Sequence, residues 1–166
     1  MIERLLLQNI VWTAGMALLL LAPAGTLHWP EAWVYLITIA TLGVGCGLYL
    51  AKVDPALLAE RMKPPVQDDQ PAADKAFVAV FGATALLWFM TMGLERRAGR
   101  AGMALAIEAA GFVLILLSTA VIMAALRANS FAAPVIKLQD ARQHQVADRG
   151  PYAFVRHPMY SGVVLF

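Results

Sequence analysis

Apolar residues along this chain form long runs that are separated by shorter polar segments. Four runs are long enough, or nearly so, to cross a bilayer, for which an α-helix needs about 20 residues. They cover residues 5–21, 32–51, 76–94 and 101–126. A fifth apolar run, residues 159–166, is too short to span, so we expect the chain to stop within a helix. The pattern predicts an all-α, polytopic membrane helix bundle of four spans plus the start of a fifth, built as a single membrane domain over residues 1–166.

The composition agrees with a membrane protein. Of the 166 residues, 60% are hydrophobic and 14% are charged, whereas soluble domains average about 45–50% and about 25%. The first run could alternatively be a secretory signal, because Ala22-Pro23-Ala24 resembles a cleavage site. Gln8 and Asn9 interrupt that run and its length suits a span, so we interpret it as the first membrane helix.

The charge and the cysteine content exclude some partners. A net charge of +2 is too small to indicate a nucleic-acid partner. The single cysteine, Cys46, lies inside an apolar run and lacks the companions that a disulfide or a metal site would need. We therefore expect no metal, and we interpret Cys46 as a small packing residue.

The distribution of lysine and arginine predicts the orientation of the spans. Ten of these residues would lie on the side of the amino terminus, and only three, Arg96, Arg97 and Arg100, on the other side. Because cytoplasmic loops carry an excess of positive charge, the amino terminus and the loop of residues 127–158 are predicted to be cytoplasmic. Trp29 and Trp33 fit the aromatic belt at the opposite interface.

Two features within the spans are interpreted as structural. Gly43 and Gly47 have the small-xxx-small spacing that lets two membrane helices approach closely. Glu108 is the one acid inside a span, and ionisable groups in membranes are functional candidates. It falls near the start of its run, where a position close to the interface is at least as good an explanation, so we assign it no role.

The linker between the second and third spans begins with the sequence DPALLAERMK. Asp54 can cap a helix whose first residue is Pro55. Three apolar residues of this segment would face one way and three charged residues another: Leu57, Leu58 and Met62 against Glu60, Arg61 and Lys63. We predict a short helix that lies on the cytoplasmic membrane surface.

The segment DRGPYAFVRHPMYSG, residues 148–162, carries the densest cluster of chemistry. His157 precedes a proline, which disfavours the helical region, so a helix is predicted to start at Pro158 or Met159. A helix start with Arg156 and His157 beside it suits an anion such as a carboxylate. The aromatic residues Tyr152, Phe154 and Tyr160 could stack on a ring. Alternatively, the arginine meets lipid phosphates and the tyrosines belong to the interface belt.

The sequence GPYAFVRHPMYSG closely resembles the G-x-Y-x-x-x-R-H-P-x-Y-x-G signature of the isoprenylcysteine carboxyl methyltransferase family. The upstream sequence VIKLQDARQHQVADRG is similar to the segment that precedes this signature, and DPALLAERMK is similar to the first cytoplasmic segment of the family. The resemblance covers the chain from about Asp54 to its end. It implies a multi-span membrane enzyme that binds S-adenosylmethionine (S-adenosyl-L-methionine) between the cytoplasmic loop and the last helices.

The resemblance also implies which residues contact the cofactor. Carried over position by position, the contacts fall on Lys137, where relatives often have glutamine, and on His144, Gln145, Val146, Ala147, Tyr152, His157, Pro158, Met159 and Tyr160. Arg156 joins them from the helix-start argument above. The family also uses an arginine and a glutamate further downstream, beyond Phe166. We therefore expect this chain to be the front part of a methyltransferase, inactive alone.

Methyl transfer needs little from side chains beyond binding and alignment. A carboxylate acceptor is ionised at neutral pH and needs no general base, so no catalytic residue is assigned. The acceptor stays open between an isoprenylcysteine-like carboxylate and another lipophilic or small membrane-associated molecule. Two alternatives also stay open: a sterol-type membrane reductase that uses NADPH, and a non-catalytic membrane subunit whose loop binds lipid headgroups or a partner.

Overall fold

The computed structural model of the protein describes residues 1–68, 70–100, 102–132, 134–135 and 146–166. The regular secondary structure of these residues is entirely helical. Six α-helices follow one another there, together with one 3₁₀ turn over Gly150–Ala153. The helices are α1 (Ile2–Ala24), α2 (Pro30–Val53), α3 (Pro55–Arg61), α4 (Ala72–Arg97), α5 (Leu105–Ala128) and α6 (Pro158–Leu165).

Four of these helices, α1, α2, α4 and α5, are long and apolar enough to cross a membrane. With 23 to 26 residues each, they are about 35–39 Å long at 1.5 Å per residue, which exceeds the roughly 30 Å hydrocarbon core of a bilayer. The predicted helical membrane fold is confirmed. The predicted fifth helix is α6, which starts at Pro158 as expected.

The helix of the fourth predicted span starts later than its apolar run. Helix α5 begins at Leu105, because Ala104 has an extended backbone, with φ −61° and ψ 136°. The preceding Gly102 and Met103 carry no charge, so hydropathy alone gave no reason to end the run there. As a result Glu108 lies in the first turn of α5, at the end of the helix and not deep within it.

Helices α1 and α5 make most of the contacts between helices in the described protein. Helix α1 packs between α4 and α2, and α6 packs along α5, whereas α2 and α5 meet only sparsely. Close approach depends on glycine where α1 contacts α4 and where it contacts α2. Gly93 of α4 lies against the backbone of α1 at Leu20, and Gly47 of α2 lies against Leu5. The predicted packing role of the Gly43–Gly47 pair is confirmed, since Gly43 also lies directly against Asn9 of α1.

Helix α3 closes one end of the bundle, where the chain segments before and after the spans come together. The Asp54 carboxylate accepts a hydrogen bond from the Leu57 N–H at 2.9 Å, which is the predicted cap. Apolar residues from α3 and its neighbours form one buried cluster: Leu5, Leu50, Leu57, Leu58, Met62, Leu126 and Ala132. We call this the motif end, because the 3₁₀ turn and the start of α6 also lie there.

The structure changes the predicted picture of α3 in one respect. Its apolar face packs against α1, α2 and α5 within the protein. Glu60, predicted to lie on the exposed polar face, is only 7% exposed. Its carboxylate pairs with Lys63 at 2.7 Å, which places a charge-matched pair at the edge of the bundle. The helix is therefore a cap on the bundle as well as a candidate surface helix.

At the opposite end, the turn between α1 and α2 is held by the end of α4. Gly25 ends α1 in the left-handed region, with φ 67°. The Arg96 guanidinium donates to the His28 carbonyl at 3.2 Å and lies 6.0 Å from the Trp29 ring. Arg96, in the last turn of α4, thus has a structural role. Which end faces the cytoplasm stays a prediction.

Candidate functional site

The start of α6 is fixed against α5 by burial and by one hydrogen bond. Pro158 is the first helical residue and is fully buried, and His157 precedes it with φ −132° and ψ 64°, outside the helical region as predicted. One turn later, the Ser118 hydroxyl donates to the Gly162 carbonyl at 2.8 Å. A buried proline and this bond from α5 leave the residues around His157 with a defined position at the motif end.

The exposed side of this helix start carries a cation, a free amide and a pair of rings. The His157 and Tyr160 rings stack, with centroids 5.4 Å apart and planes 28° from parallel. The Tyr160 N–H donates to the His157 carbonyl at 3.1 Å, whereas the Met159 N–H makes no hydrogen bond to any described residue. Arg156 is exposed beside them and forms no ion pair with the described part of the chain. Because Pro158 has no N–H and the Tyr160 N–H is already used, the first turn of α6 offers an anion the Met159 amide alone among the described residues.

Tyr152 lies on the inner side of the same segment. The 3₁₀ turn that carries it begins at Gly150, whose φ of 60° favours glycine. The half-buried Tyr152 hydroxyl accepts a hydrogen bond from the Asn129 amide at 3.3 Å. This bond joins the segment before α6 to the end of α5, so Tyr152 faces the bundle while Arg156 and His157 face outward.

Arg61 of α3 lies near Tyr152 and was not recognised from the sequence as a site residue. Its guanidinium donates to the Ala132 carbonyl at 2.9 Å. Burial lowers the pKa of Arg61 below its usual value, and the nearby Tyr152 partly offsets this effect. No local signal in the sequence indicates this role, because Arg61 is one of several charged residues on α3 and its neighbours come from distant parts of the chain.

The predicted cofactor residues divide into four sets. His157, Pro158, Met159 and Tyr160 come together with Arg156 at the start of α6, while Tyr152 lies apart from them on the inner side. Val146 is 92% exposed and Ala147 is half-buried. Lys137, His144 and Gln145 lie outside the described residues.

A large cavity of the described protein lies away from the start of α6. It has a volume of about 790 Å³ and is lined by α1, α2, α3 and α5. Its inner part is apolar, with Met16, Ile39 and Ile115 in its wall, while Arg61 and Gln8 lie at the motif end. None of the predicted cofactor residues that the structure describes lines it. Arg61 therefore connects two regions, since it lines this cavity and also lies near Tyr152.

No cluster suited to a metal ion occurs among the described residues, where no three histidine, cysteine, aspartate or glutamate side chains come together. Comparison of the chain with protein-family models, with curated proteins and with solved structures finds no match.

Proposed function

We propose that this chain belongs to an integral membrane methyltransferase that transfers the methyl group of S-adenosylmethionine to a carboxylate, or to another acceptor held at the membrane. One observation carries the proposal. The RHPxY segment brings the Arg156 guanidinium, the free Met159 N–H and the stacked His157–Tyr160 rings to one exposed helix start. These groups match the resemblance of the same segment to the methyltransferase signature.

The residues present fit the cofactor in kind. A guanidinium holds a carboxylate through two parallel hydrogen bonds, and a helix start adds an N–H and a partial positive charge. The Arg156 side chain and the Met159 N–H offer this combination to the carboxylate of an amino acid. The His157 and Tyr160 rings provide flat faces against which a purine can stack.

The chemistry asks little more of the chain. S-adenosylmethionine supplies a methyl group that is already activated by a sulfonium sulfur. The residues around α6 have to hold that group still and exclude water, because alignment is the main contribution that a protein makes to such a displacement. A carboxylate acceptor is already ionised at neutral pH, so neither His157 nor any other described side chain is needed as a general base.

Ligand choice separates this proposal from its alternatives. The purified protein in detergent is heated with S-adenosylhomocysteine, the product that lacks the methyl group, or with NADPH. A ligand that binds only the folded state at 100 times its Kd stabilises the protein by about 2.7 kcal/mol. We expect S-adenosylhomocysteine to raise the Tm and NADPH to leave it unchanged. A larger shift with NADPH would instead support the reductase, and a shift with neither would favour a non-catalytic subunit.

Matched arginine variants show whether the binding site is at the start of α6. Arg156→Gln should weaken S-adenosylhomocysteine binding by about tenfold to a hundredfold, the usual cost of losing hydrogen bonds to a charged group. Arg149→Gln is the control, because Arg149 belongs to the same segment and its side chain is 93% exposed. Equal affinities in the two variants would remove Arg156 from the site.

A further inference from the structure

The cavity between α1, α2 and α5 has the size and depth of a site for one lipid chain. Its volume of about 790 Å³ lies in the range of ligand sites in proteins. Along α1 it extends from Leu5 to Met16, about 16 Å at 1.5 Å per residue. One leaflet of a bilayer has a hydrocarbon depth of roughly 15 Å. A chain that fills one leaflet would therefore fill the cavity from the motif end inward.

The motif end of the cavity carries a positive charge that no carboxylate of the described residues matches. Of the two cations in this wall, Lys63 is paired with Glu60 at 2.7 Å. Arg61 donates one N–H to the Ala132 carbonyl and has no acidic partner among the residues described. A guanidinium has five N–H donors, so several remain for a ligand. An anionic group at this position would compensate a charge that the protein holds largely away from water.

Two polar side chains of α1 indicate that a ligand in this cavity also carries polar groups below its head. Asn9 and Thr13 line the cavity, and neither makes a side-chain hydrogen bond within the described parts of the chain. The contrast with other threonines is informative, because Thr38 and Thr119 each donate to the carbonyl four residues earlier. Thr13 lies about one turn deeper than Asn9, and both lie within about 8 Å of the level of Gln8 at the motif end.

We propose that this cavity binds a single-chain amphiphile whose anionic head contacts Arg61, whose amide or ester linkage contacts Asn9 and Thr13, and whose tail fills the apolar inner part. Carboxylate and phosphate heads share the required chemistry. The proposal of a binding site rests on the cavity alone. The further step, that the bound amphiphile is the methyl acceptor, rests on the proposed function.

Cys46 provides a direct readout of occupancy, because it lines the cavity and is the single cysteine of the chain. The purified protein in detergent, without any methyl donor, is treated with a small thiol reagent, and the rate of Cys46 modification is measured. N-oleoylglycine should slow this rate at least about fivefold. N-oleoylethanolamide has the same tail and amide but no charge, and should protect at least about tenfold less strongly.

Oleoyl lysophosphatidate, which has a phosphate head, is compared with N-oleoylglycine, which has a carboxylate head. The ligand that protects Cys46 at the lower concentration carries the preferred head group. Because no methyl donor is present, a failure here leaves the proposed methyltransferase standing, and a failure to bind S-adenosylhomocysteine leaves this site standing. Equal protection by N-oleoylglycine and N-oleoylethanolamide, or protection by neither of the anionic ligands, would overturn the proposal.

Substitutions locate the two polar contacts. Arg61→Gln should reduce affinity for N-oleoylglycine about tenfold to a hundredfold, whereas Arg127→Gln should not, because Arg127 lies against Tyr49 and does not line the cavity. Thr13→Val replaces the hydroxyl with a methyl group of similar size and should weaken the binding of N-oleoylglycine about two- to tenfold.

Thr38→Val is the matched control for that hydroxyl, since Thr38 lies outside the cavity wall. Arg61→Lys keeps the charge and should retain part of the affinity, so it still tests the charge if Arg61→Gln fails to fold. Unchanged affinity in both Arg61→Gln and Thr13→Val would place the ligand elsewhere.

Discussion

The contact between α6 and α5 depends on the absence of a side chain at Gly162. A Cβ at this position would lie 2.5 Å from Cγ1 of Ile122 and 3.3 Å from the Ser118 carbonyl oxygen. Ile122 is β-branched and therefore stiff at χ1 in a helix, so its Cγ1 cannot easily turn away. Gly162→Ala should consequently force α6 away from α5, and the segment that precedes α6 should lose its fixed position.

The expected magnitude follows from two opposing effects. Alanine in place of glycine in a helix gains about 0.5–1 kcal/mol, whereas overpacking a well-filled contact costs about 1–3 kcal/mol. Gly111 of α5 isolates the first effect, because a Cβ there would meet nothing within 4 Å. The free energy of unfolding of Gly162→Ala should therefore be lower than that of Gly111→Ala by about 1–3 kcal/mol.

The assay is unfolding in mixed micelles by increasing SDS, followed by tryptophan fluorescence. Ile122→Ala removes the overlapping atoms, so in that background the penalty of Gly162→Ala should largely disappear, as a double-mutant cycle would show. Equal stabilities of Gly162→Ala and Gly111→Ala, or an unchanged penalty without the Ile122 side chain, would refute this account of how α6 is held.

Three further predictions concern other parts of the chain. In a cysteine-free background on intact cells, an impermeant thiol reagent should label Ala98→Cys and spare Asp148→Cys; the reverse pattern would invert the predicted orientation. Asp54→Ala should lower the free energy of unfolding by about 0.5–2 kcal/mol, while Asp54→Asn, which can still cap α3, should cost far less in the same SDS titration. If Arg156 grips a cofactor carboxylate, Arg156→Lys should weaken S-adenosylhomocysteine binding about tenfold, because lysine lacks the planar fork; unchanged affinity would return Arg156 to a lipid-anchoring role.

Features that depend on local physics were predictable from the sequence. Long apolar runs predicted the four spans, because a helix that crosses a membrane has to bury its whole length in hydrocarbon. The cap at Asp54 and the helix start at Pro158 followed from the backbone preferences of those residues and their neighbours. The close approach at Gly47 followed from its spacing to Gly43.

Features that depend on contacts between distant segments were not predictable. Arg61 looked like any charged residue of a surface helix, and only the packing of α3 against α5 brings it to a cavity and near Tyr152. The burial of Glu60 has the same origin. The start of α5 at Leu105 was missed because an extended backbone at Ala104 leaves no mark on hydropathy.

The position of α1 between α2 and α4 has a consequence for biosynthesis. The ribosome delivers α1 first, and α2 can pair with it as soon as both have left the ribosome exit tunnel. The opposite flank of α1, where Gly93 later fits against Leu20, stays open until α4 has been translated. During that interval this flank has to face lipid or the insertion machinery. A photo-crosslinker placed at Leu20 should therefore capture lipid or that machinery in nascent chains that end before α4, and capture α4 itself once the chain is longer. Capture of lipid at both lengths would show that α1 is not enclosed in this way.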